Sequence, residues 1–72
     1  MLMPKLKPTT PSKIITLLEQ HGFELKRTKG SHRIYHNPET KRLVIVPFHK
    51  RDLPKGTLRA ILKDAGLSPD DL

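Results

Sequence analysis

The sequence predicts an α+β two-layer domain in the order α-β-β-β-α: a three-stranded antiparallel sheet with two helices packed on one face. Three observations carry this. Apolar residues recur at helical spacing near the start of the chain and again near its end. Between those stretches lie three short segments with β character, separated by tight turns. Each predicted helix is apolar on one side only, so both need a common surface to cover, and the apolar face of the sheet supplies it. The sheet's other face is left to water or to a partner.

The elements follow in order. Residues 1–9 hold two prolines and two lysines and read as an extended N-terminal arm of a single domain spanning 1–72. Thr10 then caps a helix with Pro11 at its first position, where the missing N–H costs nothing. Ile14, Ile15, Leu17 and Leu18 gather on one face of this helix, and Gly22 suits the left-handed residue that ends it. "FELKRT" alternates Phe23, Leu25 and Arg27 against Glu24, Lys26 and Thr28, a first strand with one apolar edge. Lys29-Gly30 is the expected two-residue turn, "SHRIYHN" the returning strand and "NPET" the second turn. "KRLVIV" is the third strand, stopped by Pro47, which cannot donate to a ladder. After the link "PFHKRDL", Pro54 opens a second helix with Leu58, Ile61, Leu62 and Ala65 on one stripe, and Gly66 ends it. Ser68, Pro69 and the acids that follow read as the capped start of a short last turn.

Composition narrows the function classes. A chain of 72 residues is near the lower limit at which one core holds a fold without staples, and with no cysteine it has neither disulfides nor a thiolate metal site. Apolar residues make up only 35% of the chain, so nearly all of them are needed in that core. Fourteen Lys and Arg oppose seven Asp and Glu, a formal charge of +7. Such a surface attracts polyanions, of which phosphate backbones are the commonest inside cells; net charge that merely keeps a small protein soluble is the plainer alternative. "MLMPKLKPTTP" contains no apolar run of the kind a signal peptide needs, and no stretch approaches the length of a spanning helix, so a cytoplasmic location is expected.

The four histidines are where chemistry could reside. His32 and His36 share a strand face, yet four residues of rise place them about 13 Å apart, too far for one ion, so no metal site is expected. His21 falls in the last turn of the first helix, where imidazole complements the dipole. His36 flanks a turn, and His49 follows Pro47 in the link as a structural hydrogen-bonder or an accessory contact. His32 differs in its setting: one residue past a hairpin turn, beside the Ser31 hydroxyl and the Arg33 guanidinium. An imidazole there suits RNA cleavage, in which a base removes the 2′-OH proton and the alkoxide attacks the adjacent phosphorus. Lys29, Arg33 or Lys50 could stabilise the phosphorane-like transition state. A second basic cluster, Lys50, Arg51, Lys55 and Thr57, surrounds the start of the second helix, whose free N–H groups favour a phosphate or an acidic partner; a solvated helix start explains it equally well.

Taken together, "HGFELKRTKGSHRIYHNP", "VIVPFH" and "LPKGTLRAILKDAGLS" resemble the HicA family of toxins, also called YcfA-like proteins, over nearly the whole chain from about Pro11 to Leu72. Gly22-Phe23, Gly30-Ser31-His32, Pro47-x-His49 and Lys55-Gly56-Thr57-Leu58 fall in the family's order and spacing. The resemblance implies a fold like the double-stranded-RNA-binding domain, in agreement with the element order. It also implies a ribonuclease (an mRNA interferase) that cleaves mRNA and blocks translation, neutralised by a HicB-type antitoxin. The family's catalytic histidine maps onto His32, with neither metal nor organic cofactor. Around it, Lys29, Gly30, Ser31, Arg33, Lys50 and Lys55 are the expected substrate contacts. Gly30 fits a turn that needs positive φ; Tyr35 is a base-stacking candidate whose more ordinary role is packing on the sheet.

Two other readings remain open from the sequence. A non-catalytic RNA- or DNA-binding module would use the same basic residues to grip phosphates with His32 in a structural role. A degenerate toxin would fold and bind its antitoxin without cutting RNA.

Overall fold

The structure, a computed structural model, describes residues 6–72 and has the expected element order, α1 (Pro11–Gln20), β1 (Glu24–Lys29), β2 (His32–His36), β3 (Leu43–Pro47) and α2 (Lys55–Ala65), followed by a 3-10 turn at Pro69–Asp71. Residues 1–5 of the expected N-terminal arm lie outside the described residues. The remainder of that arm is docked: Leu6 is buried in the core, and the Thr9 carbonyl accepts the Leu53 N–H at 2.8 Å.

Helix α1 begins as its sequence dictates, with Thr10 accepting the Lys13 N–H at 3.4 Å and Pro11 in the first turn. Ile14, Ile15 and Leu18 are buried, whereas Leu17 sits at the margin of the core. His21 is the C-cap, and Gly22 follows at φ +88°. The chain then reverses, bringing the Phe23 N–H onto the Leu18 carbonyl at 3.0 Å and burying the Phe23 ring.

The sheet order is β1-β2-β3, with both pairings antiparallel. Four of the sequence expectations about it need correction. Phe23 and Leu25 do not form one apolar edge: Phe23 is buried ahead of the strand, while Leu25 is half exposed, as all of β1 is exposed. Both helices pack on β3, so the β1 edge lies beyond their cover. A bulge between Leu25 and Arg27 then shifts the alternation by one, placing Arg27 opposite Ile34. The first turn is Gly30-Ser31 rather than Lys29-Gly30, because Lys29 still pairs with His32. Gly30 at φ +58° occupies the first central position, the place where a type II′ hairpin requires glycine.

The second turn runs longer than "NPET", and β3 begins at Leu43, so Lys41 and Arg42 belong to the turn and not to the strand. Lys41 takes φ +65°, its N–H reaching the Asn37 carbonyl at 2.8 Å. The buried Asn37 side chain organises this corner: its carbonyl oxygen accepts from the Glu39 and Thr40 N–H groups, and its amide donates to the His21 carbonyl at 3.0 Å. Pro47 does not end the contact between strands. It pairs with His32 at the sheet edge, and the next N–H, that of Phe48, reaches the Ser31 carbonyl at 2.7 Å.

Helix α2 has Pro54 at its N-cap and buries Leu58, Ile61, Leu62 and Ala65, the stripe read from the sequence. Gly66 ends it at φ +75°, and the Leu67 N–H closes back on the Leu62 carbonyl at 2.8 Å. Ser68 and Asp71 form a capping box around the final turn. Tyr35, Val44 and Val46 of the sheet meet Ile14, Leu18, Leu58 and Leu62 of the helices in one hydrophobic core.

Two tethers fix the direction of the helices. Asn37 holds the end of α1 at the second turn, and Arg42, next to that turn, donates to the Asp64 carbonyl near the end of α2 at 3.3 Å. Both helices therefore finish at the Asn37 end of the sheet. Both start at the opposite end, where the Thr9–Leu53 bond joins their approaches and where the Gly30-Ser31 turn lies.

Candidate functional site

The pairing register sorts the site residues by face, since directly opposed residues in a sheet point the same way. Tyr35, Val44 and Val46 point toward the helices. Residues of opposite parity, His32, Ile34 and His36 on β2 with Leu43, Ile45 and Pro47 on β3, form the open face. Arg27 and Lys29 join it from β1, being opposite Ile34 and His32. The open face thus carries a basic side along β1 and an aliphatic side along β3, where Leu43 and Ile45 are about half exposed.

His32 is solvent-exposed between Lys29 on one side and Pro47 on the other. Ser31 lies in the turn before it, and its carbonyl is engaged by the Phe48 N–H. Gly30 faces open space, with nothing within 4 Å of where a Cβ would stand, so its conformation and not crowding within the chain is what calls for glycine. The structure therefore brings Lys29, Gly30, Ser31 and His32 together at one end of the sheet.

Arg33 departs from the expected grouping. As the next residue along β2 it points to the opposite face, where its guanidinium stacks 3.7 Å over the Phe48 ring. Lys50 lies in the link after β3 and Lys55 in the first turn of α2, both exposed and both at the His32 end of the fold. Lys55 also borders a groove of about 300 Å³ with Lys7, Asp52 and Leu53. Tyr35 is buried with 2% exposure against the helices and presents no ring to the surface for stacking on a base.

The other histidines divide by location. His21 and His36 are at the Asn37 end, His21 as the cap of α1 and His36 opposite Glu24 and Leu43. His49 is exposed at the His32 end, one residue past Phe48. Among the described residues, no group of three or more His, Cys, Asp or Glu side chains is arranged to hold a metal ion.

Two participants escaped the sequence reading. Phe48 connects Ser31 and Arg33, and its only signal in the sequence is a large ring in an otherwise polar link. Arg27 reaches the His32 face only because of the β1 bulge, and a bulge has no signature in "FELKRT".

The segments that carried the resemblance, Gly30-Ser31-His32 and Pro47-Phe48-His49, are adjacent across β2 and β3. A family model describing the HicA toxin of bacterial toxin-antitoxin systems matches residues 11–67, from the first residue of α1 to just past α2. The chain belongs to the HicA toxin family. A comparison with curated proteins gives no match. As a HicA protein the chain has the role of toxin in a toxin–antitoxin pair, and an antitoxin is its partner. The matched HicA segment contains every strand and both long helices, leaving out the N-terminal arm and the capped final turn. No helix among the described residues is long and apolar enough to cross a membrane.

Proposed function

We propose that this HicA chain works as a single domain, an endoribonuclease that cuts mRNA and so blocks translation in the cytoplasm, with His32 as the catalytic base. One observation carries the reading: an exposed imidazole stands at the end of an open sheet face with a lysine directly across the ladder. RNA cleavage by the 2′-hydroxyl needs a proton acceptor and a positive charge beside the phosphate, and the His32–Lys29 pair supplies both.

In the proposed step, His32 takes the proton of a ribose 2′-OH as the oxygen attacks the adjacent phosphorus. Lys29 lies where it can offset the charge that accumulates on the non-bridging oxygens. Arg27 extends the positive edge along the face, and Lys50 and Lys55 grip phosphates on either side of the scissile one. Ser31 positions the turn through its carbonyl. No metal or organic cofactor enters this scheme, because an imidazole performs the proton transfer a metal-bound hydroxide would otherwise perform. The antitoxin is of HicB type and offers an acidic surface that covers His32 and displaces RNA from the basic face.

The test compares wild type and His32→Ala, both folded by circular dichroism, incubated with RNA and induced in growing cells. The wild type is expected to fragment RNA and stop growth, and the variant to do neither, with a loss of at least about 10²-fold in cleavage. Equal cutting by both would remove His32 from the chemistry. Intact RNA with the wild type, accompanied by salt-sensitive binding, would make the chain a nucleic-acid-binding module instead.

A further inference from the structure

His32 as base accounts for half of the proton traffic in RNA cleavage. The departing 5′-oxygen is an alkoxide, a poor leaving group unless an acid protonates it. We infer that His49 is that acid, a second catalytic residue facing His32 across the end of the β2–β3 ladder. This rests on the ribonuclease reading of the same site.

The geometry comes from three observations. His32 pairs with Pro47, and the Phe48 N–H to Ser31 carbonyl bond at 2.7 Å carries the contact one residue beyond the strand. The Phe48 ring lies against Arg33, on the helix-side face, so the alternation of β3 continues through that residue. His49 is next and is exposed; carrying the alternation one residue past Phe48 assigns it to the face that holds His32. Residues so placed are diagonal neighbours, with about 7–8 Å between backbones, which leaves room for one phosphodiester between two imidazole rings. Gly30, in the turn that precedes Ser31 and His32, puts no side chain into that space.

The alternatives are weaker. His21 and His36 are at the far end of the sheet. Lys50 is near in sequence, but an ammonium gives up its proton far less readily at neutral pH than an imidazolium does. Arg33 is on the opposite face, stacked on Phe48, and a guanidinium does not act as an acid.

The step balances. Neutral His32 takes the 2′-OH proton, the 2′-oxygen forms its bond to phosphorus, the P–O5′ bond breaks, and the leaving 5′-oxygen takes a proton from protonated His49. The products are a 2′,3′-cyclic phosphate and a free 5′-hydroxyl, with one proton moved from His49 to His32. Exchange with water restores both rings.

A leaving group that needs no acid separates this role from binding or folding. Wild type, His49→Ala and His32→Ala are assayed on an RNA whose cut site in the wild type has been mapped, and on the same RNA with sulfur replacing the 5′-bridging oxygen there. A thiolate departs unprotonated, so His49→Ala is expected to cut ordinary RNA about 10²- to 10⁴-fold more slowly than wild type yet cut the sulfur-bridged RNA within a few-fold of it. His32→Ala is expected to fail on both. Equal cutting of ordinary RNA by His49→Ala and wild type, or an equal loss on both substrates, overturns the acid assignment and leaves the ribonuclease reading standing. Wild type that leaves both RNAs whole overturns the two together.

Discussion

At the scale of single residues, sequence neighbours part company because a strand alternates. Lys29 and Arg33 stand three and one residues from His32, yet Lys29 shares its face by cross-strand pairing and Arg33 is turned away onto Phe48. Their substitutions should therefore differ in kind. Lys29→Ala removes the charge directly beside the candidate base and is expected to lower RNA cleavage by about 10-fold or more while leaving the melting temperature near wild type. Arg33→Ala removes a cation–π contact instead and is expected to cost about 0.5–1 kcal/mol of stability with the smaller effect on cleavage. Cleavage assays and thermal melts of the two variants in parallel check this; a larger activity loss for Arg33→Ala would contradict the assignment of faces.

At the scale of elements, the Asn37 corner ties the sheet to the end of α1. One buried side chain satisfies two N–H groups of its own turn and the last free carbonyl region of α1, joining the β2–β3 connection to the end of the helix. Replacing it with alanine leaves those groups short of partners in a part-buried setting, so Asn37→Ala is expected to destabilise the fold by about 1–3 kcal/mol. Urea unfolding measures it, and a midpoint equal to wild type would show that the turn holds without the side chain. The corner is remote from His32, at the opposite end of β2, so the cleavage rate of the folded fraction is expected to stay at the wild-type level.

At the scale of the whole molecule, a formal charge of +7 is distributed over a fold whose helices both begin at the His32 end. The basic edge of β1, the Lys50 link and the start of α2 converge on that end, which gives an extended anion-attracting surface around one small site. RNA affinity is accordingly expected to fall with salt. Each of Lys29→Ala, Lys50→Ala and Lys55→Ala should reduce the slope of log K against log salt by about 0.7 if its ammonium meets a single-strand phosphate. Titrations at several ionic strengths, made in the His32→Ala background so that RNA stays intact, check this. A slope that no lysine substitution alters would move the RNA path off this end of the molecule.

The element order, the caps at Thr10 and Ser68, the α2 stripe and the Gly-Ser-His motif could all be read from the sequence, because each depends on residues within a few positions of one another. The family was legible for the same reason, as an ordered set of short local motifs. The bulge that brings Arg27 to the open face, the one-residue shift of the turn to Gly30-Ser31, and the side on which Arg33 lies were decided by pairing register. So was the meeting of Phe48 with Ser31 and Arg33, residues well separated along the chain. Register depends on how a strand fits its partners and which face the helices cover, and one residue of slip reverses every side chain in the strand. Local composition thus determined which elements form and which residues are chemically able; only the packed sheet decided which of them share a face.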